Sequence, residues 1–181
     1  TGPIGNHGSK AQLNINAEKM TKISLHITLF ISVLAIFSII ACQDTFVYKE
    51  RKEIPNNSWA YSDSLEYRIS VTDTSALYNL YAEFEYADTF PVQNLYLKLF
   101  TTFPGGKRVE RMRSFDLFDN LGNPAGKRSG GRCTLRTMLQ NNVYFNEKGD
   151  YKITMEQFTR TSPLPGISGV TLLLEDTGKK R

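Results

Sequence analysis

Histidine and cysteine are scarce in this chain, with 2 of each among 181 residues, and tryptophan occurs once. No apolar run reaches the ~20 residues that a membrane-spanning helix requires. Neither sign of charge dominates: 22 basic residues against 18 acidic ones leave a net charge of +4. That balance is too mild and too dispersed to point to nucleic acid as a partner. Hydrophobic residues at 40% and charged residues at 22% exclude a disordered or collagen-like chain, and the length predicts one domain. The positions of the four rare residues decide which chemistries stay open.

Three of the four lie near the N-terminus. Met20-Thr21-Lys22 leads into an apolar run, Ile27 to Ala41, of about 15 residues. That is the length of a secretory hydrophobic region with its basic flank, and too short to span a bilayer. The run shows no polar face, which argues against a core helix. Ile39-Ile40-Ala41-Cys42 looks like a bacterial lipobox: two aliphatic residues, a small one, then cysteine. The expectation is that the Cys42 thiol takes a diacylglycerol thioether and, after cleavage, becomes the acylated (palmitate-bearing) N-terminus. Each buried methylene contributes about 0.8 kcal/mol, so several acyl chains hold where a single one is reversible. Residues 1–19 carry no methionine and no periodicity and read as an upstream extension outside the fold. The expected organisation is therefore a signal peptide over 20–41, the lipidated cysteine and a polar tether over 42–58, and a folded domain over 59–177.

Removing the signal peptide changes the available chemistry. His7 and His26 both disappear, and with them the commonest general base and neutral metal ligand. Ser–His–Asp and Cys–His catalysis is excluded from the remaining chain. Cys133 is left without an intrachain disulfide partner and reads as a small apolar residue. From Gln43 onward 19 basic and 17 acidic residues leave +2. No catalytic residues, cofactor or metal site is indicated.

Period-two alternation then runs through the chain. Leu65, Tyr67, Ile69 and Val71 alternate with Ser64, Glu66, Arg68 and Ser70. Tyr78, Leu80, Ala82, Phe84 and Tyr86 share a face, as do Leu95, Leu97, Leu99, Thr101 and Phe103. Pro104-Gly105-Gly106-Lys107 is a turn by composition. The pattern blurs from Arg108, with loops over 119–132. It returns at Thr134–Leu139, Val143–Phe145, Tyr151–Met155 and Val170–Leu174. About eight short strands and no helical period predict an all-β fold, a single antiparallel β-sandwich, immunoglobulin-like or jelly-roll-like.

Two constellations stand out as candidate surfaces. Arg111 and Arg113 share a face if their segment is extended, and two guanidinium groups in a row suit a phosphate or carboxylate. Tyr61, Tyr81, Tyr96 and Phe100 fall opposite the expected core and form a candidate platform for a protein or a glycan. Gly126-Lys127-Arg128-Ser129-Gly130-Gly131 lacks the spacing of a phosphate-binding loop.

Several short motifs occur together in a fixed order. They are the Cys42 lipobox, Ile54-Pro55-Asn56-Asn57-Ser58-Trp59, Tyr78-Asn79-Leu80-Tyr81, Asn94-Leu95-Tyr96-Leu97 and Phe103-Pro104-Gly105-Gly106. Lys148-Gly149-Asp150-Tyr151 with Glu156-Gln157, and Pro165-Gly166-Ile167 with Gly169-Val170, complete the set. With these the chain resembles the gliding-motility lipoprotein GldH family of the Bacteroidota from Ile54 to about Glu175. One departure is Asn123-Pro124-Ala125-Gly126, where the family tends to place an aromatic after its Asp-x-x-Gly turn. The resemblance implies an outer-membrane lipoprotein facing the periplasm or the cell surface. It also implies association with other gliding and type IX secretion envelope proteins, no cofactor and no enzymatic activity. The alternative function is a glycan-binding surface lipoprotein that uses its aromatic face.

Overall fold

Short segments with one apolar face bury it most simply by pairing as strands and stacking two sheets. The computed structural model describes residues 46–181, so the expected signal peptide and Cys42 lie outside the described residues. Among the described residues there are eleven strands: β1 (Phe46–Glu53), β2 (Ser58–Trp59), β3 (Leu65–Val71), β4 (Ala76–Ala87), β5 (Asn94–Thr102), β6 (Arg108–Asp116), β7 (Lys127–Ser129), β8 (Arg132–Val143), β9 (Gly149–Gln157), β10 (Leu164–Pro165) and β11 (Ile167–Lys180). Five form sheet I in the order β1-β11-β4-β8-β7, and four form sheet II in the order β3-β9-β5-β6. All pairings are antiparallel. β2 and β10 make a separate two-stranded ribbon.

The core lies between the sheets, as the alternation predicts. Ala82, Phe84 and Tyr86 of β4 and Val170, Leu172 and Leu174 of β11 come from sheet I. They meet Leu65, Tyr67 and Ile69 of β3, Leu95 and Leu97 of β5, and Tyr151, Ile153 and Met155 of β9. Two buried tyrosines stitch this core with hydroxyls: Tyr67 donates to the Val170 carbonyl at 2.8 Å and Tyr86 to the Leu117 carbonyl at 2.8 Å. The Pro104–Lys107 turn closes the β5–β6 hairpin, with Phe103 N–H donating to the Lys107 carbonyl at 2.8 Å and Gly106 at φ 84°. Cys133 is fully buried against the core, and its thiol is pushed up chiefly by burial.

The structure corrects the expected tether over 42–58. Phe46–Glu53 is a full strand at the edge of sheet I, paired to β11, and Ile54 and Trp59 are buried. Mixed charge hid the strand because its inward-side positions beyond Tyr48 are polar and satisfy one another. The Tyr48 hydroxyl bonds the Glu50 carboxylate, which also pairs with Lys52. Inward charges on an edge strand also discourage pairing with other chains. The C-terminal boundary shifts too. β11 continues past residue 177, Lys180 lies opposite Ala76, and Arg181 N–H donates to the Ser75 carbonyl at 2.9 Å. Thr134–Leu139 and Val143 belong to one long strand, β8, which shifts register around Leu80 and Tyr81.

Candidate interaction surface

The outward faces of the two sheets differ in how completely their side chains are paired. On sheet I, Arg51 forks onto Glu85 through two bonds of 2.7 and 2.9 Å, and Arg136 pairs with Glu83 at 2.8 Å. The Arg51 hydrogen bond holds the Glu85 carboxyl below its ordinary range. Tyr81 donates to Glu175 at 2.9 Å, and its ring meets Phe46 edge to face at 6.1 Å. Leu173, whose register neighbours are Lys49 and Tyr81, is buried beneath this layer. Sheet I presents a mostly charge-paired surface, with Met138 exposed opposite Tyr81.

On sheet II the charged pairs lie toward one end, while Asn94 and Asp116 bond each other at the other. Lys152 binds Glu66 at 2.8 Å, and the Arg108 guanidinium lies 3.9 Å from the Phe100 ring centroid. At the other end Tyr96, Met112 and Phe158 are exposed at 48%, 60% and 51%. They sit together because β5 runs between β6 and β9: Tyr96 is opposite Ser114, beside Met112, and Phe158 N–H donates to the Tyr96 carbonyl at 2.7 Å. Lys98 covers one side of Phe158 with its ammonium 4.3 Å from the ring centroid. Val92, Gln93, Thr159, Arg160 and these three side chains line a shallow depression of about 550 Å³.

A buried glutamine holds this end in place. Gln157 donates to the carbonyls of Trp59 at 3.2 Å and Thr161 at 3.1 Å, and its oxygen accepts from Thr159 N–H at 2.9 Å and hydroxyl at 2.6 Å. Its amide thereby satisfies a whole turn, and a fully bonded buried amide is rigid. The Tyr61 hydroxyl bonds the Thr159 carbonyl, and Ser162 accepts from Tyr61 N–H at 3.0 Å. Phe158, between Gln157 and Thr159, is held outward by a fixed backbone.

The family model for the GldH lipoproteins matches residues 46–173, from the first residue of β1 to the middle of β11. The chain belongs to the GldH lipoprotein family. A GldH homolog of Christiangramia forsetii is 24% identical over 82% of this chain and 94% of its own length. The GldH lipoprotein of Flavobacterium johnsoniae is 25% identical over 77% of this chain and 87% of its own. Among solved structures, a carbohydrate-binding module specific for non-crystalline cellulose has a TM-score of 0.39 at 10% identity, covering 71% of this chain and 70% of the module.

In this GldH-family domain the sequence-predicted surface residues do not form one surface. Tyr81 and Tyr96 lie on opposite outer faces of the sandwich, so the four-aromatic platform is corrected to two separate places. The reason is topological: β4 and β5 follow each other in sequence but enter different sheets. Arg111 and Arg113 do share a side of β6, opposite Leu99 and Leu97, but it is the side that faces between the sheets. They stay exposed because β6 is an edge strand. Arg113 lines a shallow hollow with Tyr96, Met112 and Phe158, whereas Arg111 lines a different cleft. Cys42 lies outside the described residues. Sequence reasoning gave no surface role to Met112 or Phe158 and named Gln157 only within the Glu156-Gln157 motif. The available signal was Phe158, an apolar residue directly after the polar Glu156-Gln157 end of β9.

Proposed function

We propose that this chain is a lipid-anchored outer-membrane protein, held through Cys42, that serves the gliding-motility and type IX secretion machinery by binding other envelope proteins without catalysis. Two things support the reading. Membership of the GldH family brings the association with gliding, because the Flavobacterium johnsoniae relative is a gliding-motility lipoprotein. The single structural observation that carries the mode of action is the exposed Tyr96–Met112–Phe158 cluster on a rigid strand end. Aromatic and methionine side chains are favoured at the centres of protein interfaces, and a polar or basic rim suits a partner surface with acidic edges. Lys98, Arg113 and Arg160 supply that rim, and among the described residues no carboxylate lines the depression.

The test combines anchor and surface. In cells of the source organism, Cys42→Ala should release the protein from the outer membrane and abolish spreading. Phe158→Ser with Met112→Ser should leave the protein anchored and folded but remove the envelope proteins recovered with it after in vivo crosslinking. Unchanged crosslinked partners in the double variant would defeat the assignment of this surface. Normal localisation in Cys42→Ala would defeat the anchor.

A further inference from the structure

Beside β6 and β8, a cleft of about 340 Å³ enters between the sheets. Its inner wall is aromatic and stiff: Tyr151 stacks edge to face on Phe103 at 5.4 Å and on Phe145 at 4.7 Å. The Tyr151 hydroxyl is tied to Glu147, donating to its carbonyl and accepting from its N–H, both at 3.1 Å. The rim is polar. It carries Arg111, Gln140 and Asn142, all exposed, and among the described residues these side chains have no hydrogen-bond or ion-pair partner. Asn142 is pinned in the left-handed region at φ 47°, with its N–H donating to the Asn79 side-chain oxygen at 3.1 Å. That fixes the rim backbone without engaging the Asn142 side chain. Among the described residues no aspartate or glutamate lines the cleft.

We propose that this cleft is a binding site for an acidic saccharide. The Arg111 guanidinium takes the sugar carboxylate, for which its planar fork is suited. The Gln140 and Asn142 amides each offer a donor and an acceptor, the same pairing that sugar hydroxyls need. Tyr144, exposed on the rim, and the half-buried Phe103 meet the apolar face of the ring, with the buried Tyr151 and Phe145 backing them. The volume lies at the small end of the ~300–1,000 Å³ typical of ligand pockets, which suits one or two sugar rings. This site is separate from the Tyr96–Met112–Phe158 surface and stands or falls independently of it.

Isothermal titration calorimetry on the full chain in detergent tests the proposal with three probes: trigalacturonic acid, its fully methyl-esterified form, and polyglutamate. The acid should bind, the ester should bind about tenfold more weakly or worse, and polyglutamate should not bind. Arg111→Gln should weaken the acid about tenfold. Asn142→Asp keeps a side chain that tolerates the left-handed backbone, yet puts a carboxylate on the rim, and should weaken it as much or more. Arg68→Gln, an exposed cation on the outer face of sheet II, serves as the control and should change nothing. Failure of the acid to bind, equal affinity for acid and ester, binding of polyglutamate, or an unaffected Arg111→Gln variant would each overturn the proposal.

Discussion

Tyr67→Phe tests whether the two sheets are coupled through a buried hydroxyl. Tyr67 is fully buried, and its hydroxyl crosses from β3 in sheet II to the Val170 carbonyl of β11 in sheet I at 2.8 Å. Phenylalanine keeps the ring and its packing, so the loss is the hydrogen bond together with one unsatisfied direction at a buried carbonyl. That combination costs about 1–2 kcal/mol. For a domain of this size the corresponding drop in Tm is about 3–6 °C. Tyr81→Phe is the control: its hydroxyl bonds Glu175 on the outer face, and its loss should stay within about 0.5 kcal/mol. The single Trp59 is buried, with its indole N–H bonded to the Asp63 carbonyl at 2.7 Å, so its fluorescence reports urea unfolding of both variants. The pH dependence has a definite sign. Burial raises the Tyr67 phenol above its ordinary 10.0, so the native state resists ionisation while the unfolded state does not. Stability from this group is complete below pH 10 and declines above it. Phenylalanine cannot titrate, so the gap between wild type and variant should narrow above pH 10. Equal stability of Tyr67→Phe and wild type at neutral pH, or equal losses in the two tyrosine variants, would refute the argument.

Two further outcomes follow from local geometry. Asp73 accepts from the Ser75 hydroxyl and N–H at 2.7 and 2.8 Å, and these bonds lower its carboxyl from 3.8 to about 2. Its contribution is present above the ordinary carboxylate value and is lost as pH falls towards 2. Asp73→Asn should therefore flatten the acid limb of thermal melts between pH 4 and 2, and an unchanged limb would count against the turn. At Gly126 a Cβ would lie 2.3 Å from the Thr134 carbonyl oxygen, a backbone atom that cannot rotate away. Gly126→Ala should cost about 1–3 kcal/mol and expose the 119–131 segment to limited proteolysis. Gly105→Ala, whose nearest contact is the flexible Glu147 side chain at 3.7 Å, should be tolerated.

The sandwich was legible in the sequence wherever one sheet face is apolar and the other polar. β3 reads as strict alternation, and its observed burial follows it residue by residue. β11 was recognised only over Val170–Leu174, because its residues are buried on both faces and alternation carries no signal there. β1 failed for the opposite reason. Its Glu50 and Lys52 point to the inner side, where a tyrosine hydroxyl and their own ion pair make charge acceptable. Edge strands therefore escape a reading based on apolar faces, and the tether was drawn through one.

Surface residues were legible as a parity but not as a place. Period-two spacing put Arg111 and Arg113 on one side of a strand, and the register to Leu99 and Leu97 agrees. Parity alone cannot say whether that side meets solvent, a facing sheet, or the open mouth between two sheets, because that depends on which strand becomes the edge. The same limit separated Tyr81 from Tyr96: each is correctly outward on its own strand, and only the crossover between β4 and β5 sends them to opposite faces. Phe158 is the converse case. It follows Gln157 at the end of β9, and its exposure arises from four hydrogen bonds made by its buried neighbour, one of them to the carbonyl of Trp59, 98 residues earlier in the chain. A long-range polar clasp leaves no local pattern. The exposed aromatic it supports therefore becomes readable only once Trp59, Thr161 and Gln157 have been brought together.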